Sequence, residues 1–148
     1  MSTREAALVA LHARLQAAFP GRSPAPVVLR GETTPQRIPA GGLMVLRDGD
    51  TVDETAILSP LSWAIEYRTE IEVTVAGAAT AGRTALLDAL LVAIGDAIIA
   101  DRTLGGAVDW VQPGSPEFQD TEFEGAAAAR SALVPVTLWF TTAGSALA

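Results

Sequence analysis

Hydrophobic and polar positions along the chain fall into a few clear periods. Between residues 2 and 19, Leu8, Leu11, Leu15 and Phe19 recur at spacings of three and four. They therefore share one face of a helix. Ser2, followed three residues later by Glu5, fits a capping box, and Pro20-Gly21 stops the helix. His12 falls at the edge of the apolar stripe and reads as a solvated or interface side chain, since a ligand role would need partners the chain does not supply. Residues 24–30 predict a short strand centred on Val27-Val28-Leu29, and residues 31–40, with Pro35 and Pro39, predict a loop. Leu43-Met44-Val45-Leu46 predicts a buried strand over residues 42–47, ended by a turn at Asp48-Gly49-Asp50.

The clearest pattern begins near Leu61. Trp63, Ile65, Tyr67, Thr69, Ile71, Val73 and Val75 alternate with Ala64, Glu66, Arg68, Glu70, Glu72 and Thr74. Period two predicts a strand with one buried face and one charged face. Strands usually run about 5–6 residues, so this one should project beyond the domain body or bend within it. Small residues over 77–82 mark a turn. A second helix follows over 83–101, with Leu86, Leu87, Leu90, Leu91, Ile94, Ala97 and Ile98 on a wide apolar face and Gly105-Gly106 beyond its end. Residues 108–111 predict a short strand carrying Trp110. Phe118 and Phe123 frame a weakly alternating segment. Residues 129–142 predict a last long strand, with Ala132, Val134, Val136, Leu138 and Phe140 facing inward. Pro135 cannot donate to a ladder, which places this strand at an edge or puts a bulge near it. There is no internal repeat.

This order predicts a single α+β domain over residues 1–148. Its architecture is a two-layer sandwich, a mostly antiparallel sheet of about four to five strands with two amphipathic helices on one face. The other sheet face, bearing Glu66, Arg68, Glu70 and Glu72, is solvated or meets a partner.

Composition narrows the chemistry. The 148 residues carry 17 acids against 10 bases, a net charge of -7, with one histidine and no cysteine. All ten bases are arginine. Without Cys there is no thiol nucleophile, disulfide framework or Cys-based metal site. Without Lys there is no Walker-type phosphate loop and no Schiff-base chemistry. The acidic balance argues against a groove built on phosphate neutralisation. Much of the 49% hydrophobic content is alanine, and the most apolar stretch is broken by Asp88, Gly95 and Asp96. That stretch is shorter than the roughly 20 apolar residues a spanning helix requires. No signal-peptide pattern opens the chain, so no membrane association and a cytoplasmic location are expected.

The candidate chemical clusters are sparse. Asp48, Asp50, Asp53 and Glu54 resemble a calcium loop superficially, but Val52 and Asp53 stand where a ligand and the required glycine belong. A solvated turn is the expectation, with no metal. Glu66, Glu70 and Glu72 could in principle supply paired carboxylates for glycoside hydrolysis. They sit instead in an alternating charged face, where Arg68 is expected to form cross-strand or inter-subunit pairs. Asp120, Glu122 and Glu124 form a second acidic strip, either a polar edge or a surface that repels DNA. Trp139 is out of register with Val136, Leu138 and Phe140, which puts it on the opposite face as an exposed interface anchor. Gly41-Gly42 and Gly105-Gly106 lack the dinucleotide spacing and read as turns. No catalytic residue, cofactor or metal is expected.

One family likeness stands out. The run Ile38-Pro39-Ala40-Gly41-Gly42-Leu43-Met44-Val45-Leu46-Arg47-Asp48-Gly49 resembles a segment of the tail terminator (tail completion) proteins of long-tailed phages. So do Leu58-Ser59-Pro60-Leu61, leading into Tyr67-Arg68-Thr69-Glu70-Ile71-Glu72-Val73, and the stretch from Leu86 to Trp110 with its Ala100-Asp101-Arg102-Thr103-Leu104-Gly105-Gly106 turn. The likeness covers most of the chain and is strongest for phage-like particles of alphaproteobacterial type, gene transfer agents among them. It implies a non-enzymatic structural protein that forms a ring, usually a hexamer, at the head-proximal end of a tail tube. Such a ring ends tube polymerisation and joins the tail to the head-side connector, so its partners are itself, the tube protein and that connector. DNA crosses its lumen without specific binding. Assembly would take place in the cytoplasm, before the protein becomes part of a phage-like particle. A stopper-type connector of the same particle, a small carboxylate hydrolase acting through Glu66, Glu70 or Asp120, and a generic ligand-binding domain are the alternatives. The interface positions expected from the charged strand face and the loop before it are Asp48, Asp50, Asp53, Glu54, Glu66, Arg68, Glu70, Glu72 and Trp139.

Overall fold

The computed structural model describes residues 1–31, 37–121 and 128–148, with the Thr121 side chain excepted. Pro35, Glu122, Phe123 and Glu124 lie outside the described residues. The elements run α1 (Thr3–Gln16), β1 (Val27–Arg30), β2 (Leu43–Leu58), β3 (Leu61–Ala76), α2 (Thr80–Ala100), β4 (Trp110–Pro113), β5 (Glu117–Thr121) and β6 (Ala129–Ala143). They form the expected α+β arrangement, with six strands instead of four to five. The extra strand arises because β4 and β5 pair in succession with different halves of β6.

The sheet order is β1-β2-β3-β6-β4, antiparallel except for the β1–β2 pair. At its centre, β3 and β6 pair without a register break from Ser62↔Ala143 to Ala76↔Ala129. Alternation along both strands sends Tyr67, Ile71, Val73, Val134, Val136, Leu138 and Phe140 to one side. There they meet Leu8, Leu11 and Leu15 of α1 and Leu87, Leu90, Ile94 and Ile98 of α2 in one core. Both helices therefore cover the same face, as their apolar stripes require.

Each helix is fixed by a polar contact. Ser2 Oγ accepts from the Glu5 N–H at 3.2 Å and caps α1. The Glu5 carboxylate does not close the capping box; Arg30 of β1 takes it, with Nη1 and Nη2 donating to its two oxygens at 2.6 and 2.7 Å. That bidentate pair ties the helix to the sheet edge and holds the Glu5 carboxyl below its ordinary value. Beyond α2, Asp101 accepts from Thr103 Oγ1 at 2.8 Å, from Gly105 N at 2.7 Å and from Thr103 N at 3.1 Å. These bonds hold its carboxyl low as well. His12 is half-buried, with no partner for its Nε2 among the described residues.

Two sequence expectations are corrected. The segment Asp48-Gly49-Asp50 does not end β2; the strand continues to Leu58, and the hairpin turn falls at Ser59-Pro60. Two register shifts, between Arg47 and Asp50 and between Thr51 and Asp53, absorb the irregularity as bulges. Gly49 makes the first bulge possible. A Cβ there would run into the Arg68 carbonyl oxygen. The Tyr67 hydroxyl clamps the same residue, accepting from Gly49 N at 2.8 Å and donating to Gly49 O at 2.9 Å. Pro135, in turn, lies neither at an edge nor in a bulge. It sits opposite Glu70 in an unbroken ladder. Its carbonyl accepts from Gly114 N at 2.7 Å, so its own nitrogen also faces away from β3, toward the break between β4 and β5. No ladder partner waits there for the missing donor.

Gly49→Ala should destabilise the chain by about 1–3 kcal/mol through this forced contact, measured by urea unfolding; an unchanged midpoint would contradict the clamped bulge. A second expectation concerns pH. Because the folded-state pKa of Glu5 is depressed, its contribution is present above the ordinary carboxylate pKa of about 4.3 and is lost as pH falls through the lower folded value. Glu5→Gln should therefore lower Tm at pH 7 and converge with the parent chain in strong acid, as followed by circular dichroism.

Candidate functional site

The expected interface residues gather largely on the sheet face turned away from the helices. Register sets them in rows. Arg47 lies across from Glu70, Asp50 across from Arg68, and Asp53 across from Glu66, which in turn faces Trp139 and then Trp110. The two bulges cancel in parity, so Asp53, six residues on in β2 and opposite a residue four back in β3, returns to the same face as Arg47. Glu54 lies opposite Ile65, on the other face. Asp48 sits in the first bulge, its carboxylate 3.4 Å from Arg30 Nη2.

The charges divide into a paired and an unpaired half. Near the sheet body, Arg47 Nε donates to Glu72 Oε2 at 2.9 Å in a half-buried ion pair. Arg68, expected to pair across strands, is exposed and has no ion pair among the described residues, although Asp50 is its register partner. Further out, Asp53 and Glu66 face each other directly. Like charges in that position are destabilising. Beside them Asp109 accepts from Thr141 Oγ1 at 3.0 Å. Asp53, Glu66, Asp109 and Trp139 line one shallow pocket of about 180 Å³. Among the described residues, no group of three or more His, Asp or Glu has the arrangement to hold a metal ion.

Trp139 lies on the predicted face but is half-buried between its neighbours. The more exposed aromatic in this row is Trp110, at 46%, with the Arg102 guanidinium 4.6 Å from its ring centroid. Sequence reasoning placed Trp110 only as a strand residue. The pairing of β4 with β6, which joins distant segments, is what brings it into the row.

The larger surprise is the outer part of β2. Residues 50–61 are all exposed. With β1 covering only Leu43 to Leu46, the remaining length of β2 has no neighbour on its outer edge among the described residues. Val52 is 57% exposed and Leu58 at the tip 81%. Residues 50–66 thus make an acidic arm, backed by the end of β6 and bare on its outer edge.

No family model matches the chain, and no curated protein does. Among solved structures, it is similar to a chain of the "Virion of native gene transfer agent (GTA) particle". The two are 14% identical over 89% of this chain and 92% of that one, with a TM-score of 0.45. No helix among the described residues is long and apolar enough to cross a membrane.

The Asp53–Glu66 opposition predicts that Glu66→Gln raises the stability of the isolated chain. The gain should be about 0.2–1 kcal/mol at low ionic strength and should shrink as salt is added. Urea unfolding at two salt concentrations reads it, and a loss of stability would show that Glu66 is satisfied within the chain.

Proposed function

We propose that this chain is a structural protein of the tail terminator type. In this reading it assembles into a ring at the head-proximal end of a phage-like tail tube, ends tube polymerisation and presents its far side to the head connector. It works through surfaces and carries out no catalysis. The observation that carries the reading is the arm. An open edge strand is a template for another chain, and folded chains normally blunt or cover such edges. Here the edge extends well past β1 and ends in exposed Leu58 and Leu61. The inner side of the arm is already paired with β6, so the open side is the one left for a second chain, which fits a subunit completed by assembly.

Of the sequence segments that resemble tail terminators, Leu58-Ser59-Pro60-Leu61 forms the turn at the tip of the arm, while the start of β2 and Tyr67 to Val73 of β3 form its base. The net charge of -7 on each subunit, repeated around a ring, also suits a passage that DNA crosses without sticking.

Negative-stain electron microscopy of the purified chain mixed with the tube protein of its own particle tests this. Closed rings seated at one end of tubes, and a halt to tube growth, are the expected result. Monomers or dimers alone, with tube growth unaffected, would overturn it.

A further inference from the structure

We propose that the acidic arm of one copy docks on an arginine-bearing corner of a second copy, the corner where β1 and β2 begin. The inference deepens the preceding reading and rests on its self-assembly, for which it names the contact. Two patches carry it. The first is the arm, where Asp50, Asp53 and Glu54 are exposed and Glu66 is half-exposed. None of the four has an ion pair among the described residues, and Asp53 and Glu66 oppose each other. Exposed Val52 and Ile57 supply apolar contact beside them.

The second patch lies at the other end of the same strand. Arg22 follows α1, and Arg37 precedes the turn into β2. Both are exposed, and neither has an ion pair among the described residues. The turn around Gly41 packs against the Pro24 and Ala25 carbonyls, and Val27 N donates to Gly42 O at 3.0 Å. The approaches to β1 and β2 are therefore held together at one corner. Exposed Pro24, Ala25 and Val27 give this corner an apolar floor.

Within one chain the two patches cannot meet. Leu43 pairs with Thr74 and Asp53 with Glu66, so the two lie eight β3 residues apart, roughly 26 Å at strand rise. That exceeds the reach of any side chain and is far beyond a Debye length of about 8–10 Å. Arm-to-arm pairing between copies would bring carboxylates against carboxylates, which like-charge juxtaposition disfavours. Arm-to-corner contact brings unpaired acids to unpaired arginines and covers apolar surface on both sides. It also relieves the Asp53–Glu66 repulsion by placing a guanidinium between them, where Arg can bridge two carboxylates.

Charge exchange tests this on the full chain. Asp53→Arg with Glu54→Arg, and separately Arg22→Glu with Arg37→Glu, should each raise the concentration needed for self-assembly about tenfold or more. The chain carrying all four changes should regain assembly. Sedimentation velocity reads the mass, and circular dichroism confirms that each variant is folded. The neutral pair Asp53→Asn with Glu54→Gln should give a smaller shift in the same direction. Loss and rescue in a species that proves to be a dimer would uphold the contact and overturn the ring. A parent chain that assembles but is indifferent to every exchange overturns the contact and leaves the ring standing. A parent chain that stays monomeric even with the tube protein overturns both.

Discussion

The arrangement follows from a mismatch of length between two layers. Strand β3 has 16 residues, roughly 53 Å when extended, whereas the longer helix has 21, roughly 32 Å. A helix layer of that size cannot cover the whole sheet. The alternation of β3 nevertheless holds apolar residues in register along its full length, and β6 matches it residue for residue. Part of the sheet must therefore stand outside the helix layer. At the uncovered end the buried face is maintained by aromatic side chains and by the C-terminal residues. Tyr67 and Phe140 sit with ring centroids 6.5 Å apart. Thr142 Oγ1 donates to the Ala148 carbonyl at 3.0 Å. Strand β2, at the edge, receives neither helix nor tail, and its outer residues stay in solvent.

That edge strand survives as a strand because its irregularities are local and compensated. One bulge would have turned every later side chain to the wrong face. Two bulges restore the parity, and the first is held by the Gly49–Tyr67 clamp. The clamp joins the buried face to the edge, since Tyr67 is itself a core residue. The position of the acids on the arm thus depends on a core aromatic several residues away. Pro135 shows the same economy. A residue that would break most central strands is tolerated where the neighbouring edge already has a gap between β4 and β5.

Much of this was legible in the sequence, and the failures share a cause. Helix faces, the long alternating strand and its two-sided character follow from local periodicity, which a linear reading sees directly. The extension of β2 does not. Residues 48–58 mix acids with Val52, Ile57 and Leu58, carry a turn signal at Asp48-Gly49-Asp50 and show no sustained alternation, because both of their faces are solvated. Only pairing with β3 makes them a strand, and pairing is a tertiary fact. The candidate acids can be read off the sequence as two clusters, 48–54 and 66–72. Their division into a paired half around Arg47–Glu72 and an unpaired half around Asp53–Glu66 needed the register. Trp139 was assigned to the right face by parity, but its partial burial depends on Trp110, which arrives from another segment.

The unpaired half of the face is where stability and assembly part company. A chain selected only to fold would not set Asp53 opposite Glu66 with Asp109 in the same pocket, since replacing one acid removes a repulsion at no structural cost. Nor would it leave Val52 and Leu58 in water on an open edge. Each feature is unfavourable in the isolated subunit, and both fall on one element. In the proposed assembly they become favourable together: a guanidinium brought by a second copy turns the repulsion into attraction, and contact removes the apolar side chains from solvent. Such a surface also fixes the polarity of association, because two arms repel each other whereas an arm and a corner attract.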